Sequence, residues 1–172
     1  MKFGWALVAT GAAALAYVLI RVRQGAGILV VGPGNIPRGG RFGVPRKTHT
    51  HVGIDVFAPE GTPVRAAGAG TVEASGPITG YGETVVVDQA DGVRSLYAHL
   101  SVRSVRAGET IRHGQLVGRV GRTAYGDCGR YFCHSPPHLH YEVITNARPI
   151  NRFRSRIEPV AYLATKGVRV HA

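Results

Sequence analysis

Residues 81–100, YGETVVVDQADGVRSLYAHL, hold two runs of strand-forming residues on either side of Asp91-Gly92. Glu83–Gln89 and Val93–His99 are rich in β-branched and aromatic side chains. An Asp-Gly pair suits the centre of a tight hairpin turn, where positive φ is needed. The same alternation of short run and turn signal continues in both directions. Val52–Phe57, Pro63–Ala67 and Gly70–Ser75 precede the hairpin; Leu116–Val120, His138–Ile144 and Pro149-Ile150-Asn151 follow it. Beyond the N-terminal segment no stretch keeps a helical period, although Pro159–Lys166 has room for a turn or two. The expected fold class is therefore all-β, with many turns and glycines.

The first residues differ in kind. FGWALVATGAAALAYVLI, residues 3–20, carries no charge and is followed by Arg21-Val22-Arg23. Eighteen apolar residues in a helix reach about 27 Å, close to the thickness of a hydrocarbon core. A cleaved signal peptide calls for small residues directly after the apolar run, and arginines stand there instead. An uncleaved transmembrane anchor is the preferred expectation, with a signal segment as the alternative. The charges on the two flanks do not decide its orientation. Its alanine and glycine content makes it a weak anchor, compatible with release from the membrane. Residues 24–45 are dense in glycine and proline and read as a linker. The expected organisation is an anchor or signal segment at 1–23, a linker at 24–45, the β domain at 46–157 and a tail at 158–172.

The 172-residue chain has a formal net charge of +11, carried mostly by arginine. Setting aside Lys2, Arg21 and Arg23 leaves eighteen basic against ten acidic residues, so the remainder is still basic. Such a surface suits an anionic cell-envelope polymer or lipid. No recognition helix, zinc-finger spacing or aromatic RNA-binding signature accompanies the charge, and a nucleic-acid partner is not expected.

Candidate chemistry gathers at a few histidines. His51 and Asp55 stand four apart with Gly53 between them, in a turn-to-strand setting where both can reach one metal ion. His138 and His140 alternate along a strand, which sends both imidazoles to one face. His99 ends the run Ser95-Leu96-Tyr97-Ala98. A lone histidine is more often a satisfied core residue than a ligand. Four histidines and an aspartate exceed what one structural zinc needs. A catalytic zinc takes three protein ligands and leaves a position for water, so two histidines remain for proton transfer and charge stabilisation.

HVGIDVFAPEGTPVRAAGAGTV, YGETVVVDQADGVRSLYAHL, AGETIRHGQLVGRVG and SPPHLHYEV occur in the order seen in the lysostaphin/LytM-type zinc metallopeptidases, and residues 46–151 resemble that family of peptidoglycan endopeptidases. The resemblance implies a compact antiparallel β fold with a Zn2+ groove on one sheet. It also implies His51, Asp55 and His140 as metal ligands and His99 and His138 as catalytic residues. The implied substrate is a peptide cross-bridge of bacterial peptidoglycan, attacked by zinc-activated water. The implied location is the cell envelope, with the domain outside the cytoplasmic membrane.

The chain departs from its relatives between Gly121 and the histidine pair. RTAYGDCGRYFCHSPP holds the only two cysteines, Cys128 and Cys133. A disulfide between them would stabilise the loop by roughly 2 kcal/mol and indicate an oxidising compartment. Tyr125, Tyr131 and Phe132 then stand beside the groove; a second zinc site on Cys128, Cys133 and His134 is a lesser reading. His49 is expected to be exposed or just behind the metal ligands, His113 solvated in a turn between short strands, His171 uninformative near the terminus, and Arg148, Arg152, Arg154 and Arg156 a solvated face. Two other classes compete. A catalytically inactive regulator of a wall hydrolase would be expected to have lost ligands, yet all five positions are present. A biotin- or lipoyl-carrier needs a lysine on an exposed hairpin, and Lys2, Lys47 and Lys166 do not sit in one. Within the enzyme class, a phage-type lysis enzyme with a releasable anchor is the alternative to a wall-growth enzyme.

Overall fold

The computed structural model describes residues 36–124, 136–145 and 155–168. Nine strands are found among them: β1 (Ile54–Phe57), β2 (Pro63–Arg65), β3 (Gly70–Ile78), β4 (Gly82–Gln89), β5 (Val93–Arg103), β6 (Thr110–Ile111), β7 (Leu116–Val120), β8 (His138–Thr145) and β9 (Arg156–Ile157). Their main path is β1-β8-β5-β4-β3-β6, with β9 on the edge of β8 and β7 joining β5 to β2. Every ladder is antiparallel. The hairpin expected at Asp91-Gly92 is present between β4 and β5, with Gly92 at φ 81.

Alternation divides the sheet into two faces. Leu139, Tyr141 and Val143 of β8 join Ile54, Val56, Val85, Val87 and Tyr97 in the larger core. On the opposite face a smaller cluster unites Tyr81, Val86, Leu96, Ala98 and Ile144. The candidate histidines stand on this second face, beyond its apolar cluster.

The expected strands that fall on described residues are found, with shifted ends. β6 and β9, two residues each, are too short to leave a pattern. β5 does not stop at His99 but runs on to Arg103. The reading of 24–45 as a linker is revised from Ile36 onward. Ile36 is 3% exposed and lies in the larger core, and Arg38–Gly40 forms a 3₁₀ turn beside β1. The tail beginning at 158 is likewise part of the packed domain. Helix α1 (Pro159–Thr165) is capped by the Glu158 carboxylate, which accepts from the amides of Val160 and Ala161, and it buries Tyr162 and Leu163. No helix among the described residues is long and apolar enough to cross a membrane. The segment 3–20, the Cys128–Cys133 loop with His134, Pro149–Asn151 and His171 lie outside the described residues.

Candidate metal centre and its catalytic face

Three elements bring the candidate ligands together. β1 pairs with β8 so that Asp55 stands opposite His140 and Phe57 opposite His138. Side chains of paired residues share a face, so all four point to the same side of the sheet. His51 enters from the turn before β1. Gly53 lets this turn close, because a Cβ there would lie 2.6 Å from the Tyr141 carbonyl and 2.9 Å from the His140 ring. A side chain at position 53 would push the turn away from its own partner ligand.

His51 Nε2, Asp55 Oδ1 and His140 Nδ1 converge, with separations of 3.1 Å (His51–Asp55), 2.8 Å (His140–Asp55) and 3.3 Å (His51–His140). They form the one cluster of metal-capable side chains found among the described residues. Acceptor-only partners fix which nitrogen of each ring holds its hydrogen. His51 Nδ1–H donates to the Arg41 carbonyl at 2.9 Å, and His140 Nε2–H donates to Glu142 Oε1 at 3.0 Å. His51 Nε2, His140 Nδ1 and a carboxylate oxygen therefore aim at one point, where a metal ion or a shared proton is stabilised. Tetrahedral bonds of about 2.0–2.1 Å place ligand atoms about 3.3 Å apart, so a small divalent ion fits with little movement. In the metal-free protein a proton does this work. Burial opposes the His140 charge, but hydrogen bonds to Asp55 and Glu142 outweigh it and raise its pKa to about 9. Burial likewise opposes charge on Asp55, yet the hydrogen bonds from His140 and His51 hold its carboxyl far below the usual range. Arg46 donates to Asp55 Oδ2 at 2.8 Å, which occupies the outer oxygen and leaves Oδ1 for the metal.

His99 and His138 stand beside this triad. Their ring centroids are 4.9 Å apart, and that of His99 is 5.7 Å from that of His140. Strict alternation after Ala98 would send His99 into the opposite core. Instead β5 carries an extra residue: Val85 faces Tyr97 while Glu83 faces Leu100, and His99 takes φ 59. Such a bulge re-aims a side chain and restores the alternation afterwards, so Leu100 returns to the larger core. Thr123 secures the bulge, for its carbonyl accepts from His99 Nδ1 at 2.8 Å and its hydroxyl donates to the Leu100 carbonyl at 2.9 Å. His138 Nδ1 donates to the Pro136 carbonyl at 2.9 Å. Both rings thus keep Nε2 as the nitrogen that gains or gives a proton, and His138 Nε2 is 3.9 Å from Asp55 Oδ1. Phe57 packs against His138 with centroids 5.5 Å apart, and Tyr81 against His140 at 5.7 Å.

All five residues singled out from sequence therefore meet on one face. Sequence reasoning missed Glu142, Tyr81, Arg156, Thr123 and Arg46. Glu142 could have been found by carrying the alternation of His138 and His140 one step further. Arg156 is not part of a solvated face. Its side chain is 2% exposed and its Nε donates to Glu142 Oε2 at 2.7 Å; Arg148, Arg152 and Arg154 lie outside the described residues. His49 is exposed as expected. His113 is half-buried rather than solvated, and desolvation together with the Lys166 charge lowers its pKa.

Residues 49–152 match the sequence profile of peptidase family M23. The chain is 46% identical over 101 residues to the DD-carboxypeptidase/endopeptidase Mpg of Neisseria meningitidis, covering 59% of this chain and 21% of that protein. It is 35% identical over 119 residues to the glycyl-glycine endopeptidase ALE-1 of Staphylococcus capitis, covering 68% of this chain and 30% of that protein. It thus spans less than a third of the length of either relative. Among solved structures it is similar to the catalytic domain of lysostaphin from Staphylococcus simulans, with a TM-score of 0.61 and 29% identity over 73% of this chain and 89% of that one.

Proposed function

The chain belongs to peptidase family M23, and from that premise we propose that it is a zinc-dependent endopeptidase that hydrolyses peptide cross-bridges of bacterial peptidoglycan. The observation that carries this reading is the convergence of His51 Nε2, Asp55 Oδ1 and His140 Nδ1 beside two further histidines tethered through Nδ1. Two imidazoles and a carboxylate suit zinc. A zinc ion held there supplies a Lewis acid and lowers the pKa of water towards ~7, so that hydrolysis runs at neutral pH.

The chain's own residues do the rest. In its neutral form each of His99 and His138 offers Nε2 as a base; once protonated, the same nitrogen donates to an oxygen that gains charge as the amide carbonyl becomes tetrahedral. The carbonyls of Thr123 and Pro136 keep these rings from turning over. Phe57 and Tyr81 supply apolar walls that exclude water and strengthen those interactions.

The proposed setting is the cell envelope, with residues 3–20 anchoring the chain in the cytoplasmic membrane and the domain outside it. The uncharged 18-residue run followed by two arginines supports this. A Cys128–Cys133 disulfide belongs to the same proposal, since four residues between the cysteines allow closure and an exported domain meets oxidising conditions. The arginine-rich composition favours contact with anionic wall polymer or lipid headgroups.

The test is digestion of purified sacculi, with released fragments identified by mass spectrometry. Metal-loaded protein is expected to release peptide-bridge products, chelation to abolish release and zinc to restore it. His140→Ala is expected to lose bound zinc and at least about a hundredfold in rate. No peptide-bridge product from metal-loaded protein would overturn the reading.

A further inference from the structure

We infer that Glu142, gripped by Arg156 and Tyr81, is a positioning residue that keeps the His140 hydrogen on Nε2 and so turns the Nδ1 lone pair into the metal centre. The inference rests on the proposed metal site and adds to it a strand outside the ligand set, β9.

Glu142 is fully buried, and three donors meet its two oxygens. His140 Nε2 lies 3.0 Å and the Tyr81 hydroxyl 2.7 Å from Oε1, while Arg156 Nε lies 2.7 Å from Oε2. Only an acceptor-only group satisfies all three. The Tyr81 phenol is protonated at neutral pH and its hydroxyl points at Glu142 Oε1, so it donates. Arg156 has no acceptor form at all. With two of the three donors unable to reverse, the carboxylate is locked as an acceptor and holds the Nε2 hydrogen of His140, so the hydrogen that a metal displaces is the one on Nδ1, which faces Asp55 Oδ1 at 2.8 Å. Arg156 reaches this position because β9 pairs with β8 and sets Arg156 opposite Ile144, on the same face as Glu142. A charge sealed this deeply needs such a countercharge. The residue that makes His140 a ligand is therefore supplied with its cation by the chain beyond the histidine pair.

A purely structural ion pair between β8 and β9 would change stability and leave the metal alone, and an amide separates the two roles. In Glu142→Gln, Arg156 claims the amide oxygen and the amide NH₂ is turned on His140. That forces the hydrogen onto Nδ1, into the metal centre. Removing the arginine in the Glu142→Gln, Arg156→Met double variant frees the amide oxygen to turn back to His140. The measurements, on the full chain, are zinc affinity by chelator competition and the ¹⁵N spectrum of the His140 ring. Glu142→Gln is expected to bind zinc 10- to 100-fold more weakly, with the hydrogen on Nδ1. The double variant is expected to recover to within about threefold of the parent. Parent-like affinity in Glu142→Gln, or no recovery in the double variant, overturns the inference. Should Glu142→Gln fail to fold, the metal-free parent in alkaline solution, where His140 is neutral, still decides: a hydrogen on Nε2, facing Glu142, supports the inference and one on Nδ1, facing Asp55, overturns it. His51→Ala in the same assay keeps the two readings apart. Its loss of zinc shows that the metal site stands whatever becomes of Glu142, and parent-like binding overturns the site itself.

Discussion

The two faces of β8 follow opposite rules. Leu139, Tyr141 and Val143 enter a core that excludes water and makes few directional demands. His138, His140 and Glu142, one residue out of step, are almost as deeply buried, at 7%, 7% and 0% exposed. Each of those polar groups is fixed by a partner at a defined atom. Burial is therefore no guide to role here: one face uses it for stability and the other for orientation in a low dielectric. A one-residue slip of β8 would exchange the two sets, so the apolar face also secures the register of the site.

The largest expected effect breaks the comparison at its sharpest point, between neighbours. Leu139→Ala is expected to cost about 2–5 kcal/mol of stability, as buried leucine truncations do, with little change in kcat per folded molecule. His138→Ala is expected to do the reverse: kcat lower by about 10²- to 10⁴-fold with zinc retained. His99→Ala should behave like His138→Ala. Urea unfolding, zinc content and single-turnover rates on the three variants check this. Loss of zinc in His138→Ala would place that residue among the ligands instead.

An effect of intermediate size separates the faces by pH. In the metal-free protein His140 has its pKa raised to about 9. The folded state thus holds a proton that the unfolded chain releases near its ordinary value of about 6.5. The stability from this group is complete below about pH 6.5 and is lost as pH rises through about 9. Asp55 acts at the other end, where its contribution is present above its ordinary range and is lost as acid protonates the folded carboxylate. Metal-free protein is therefore expected to unfold at lower urea at pH 9 than at pH 6.5. Leu139→Ala should lower both midpoints alike, whereas His140→Ala should remove the difference. An unchanged difference in His140→Ala would locate the proton elsewhere. Zinc must displace that proton, so its affinity is expected to rise with pH between about 6 and 8.

The sequence made one face far more legible than the other. Strands and the Asp91-Gly92 hairpin follow from alternation and turn chemistry, which are local. Four of the five candidate site residues, His51, Asp55, His138 and His140, were visible because they occur in pairs whose spacing has meaning within one element. The aim of His99 was not legible, because its φ of 59 and the extra residue in β5 are set by tertiary contacts with Thr123 and β4. Arg156 was read as solvated because nothing local distinguishes it from its neighbouring arginines; only pairing of β9 with β8 puts it on Glu142. Ile36 and α1 were set aside as linker and tail because a single buried isoleucine, or one seven-residue helix, is too small a signal against glycine and proline.

The smallest effect tests whether α1 belongs with the stability face or with the chemistry. Lys166 lies 2.5 Å from Asp91 Oδ2, and the Tyr162 hydroxyl lies 2.5 Å from Gln89 Oε1 and 3.0 Å from Asp91 Oδ2. Gln89 in turn donates to Ser95, which bonds to the Tyr141 hydroxyl, so the chain of contacts ends on the apolar face of β8. Desolvation opposes charge on Asp91, but Lys166 and Tyr162 outweigh it and hold its carboxyl below the usual value. That contribution is present above the ordinary carboxylate range and fades as pH falls. The pair is a quarter to a third exposed, so water screens it. Lys166→Met is therefore expected to cost no more than about 1 kcal/mol at pH 7 and less in high salt. Zinc affinity and kcat should stay at parent values, since the network meets the sheet on the side away from His140. A shift in zinc affinity in this variant would mean that β8 transmits strain from one face to the other, and the two faces could no longer be treated as separate.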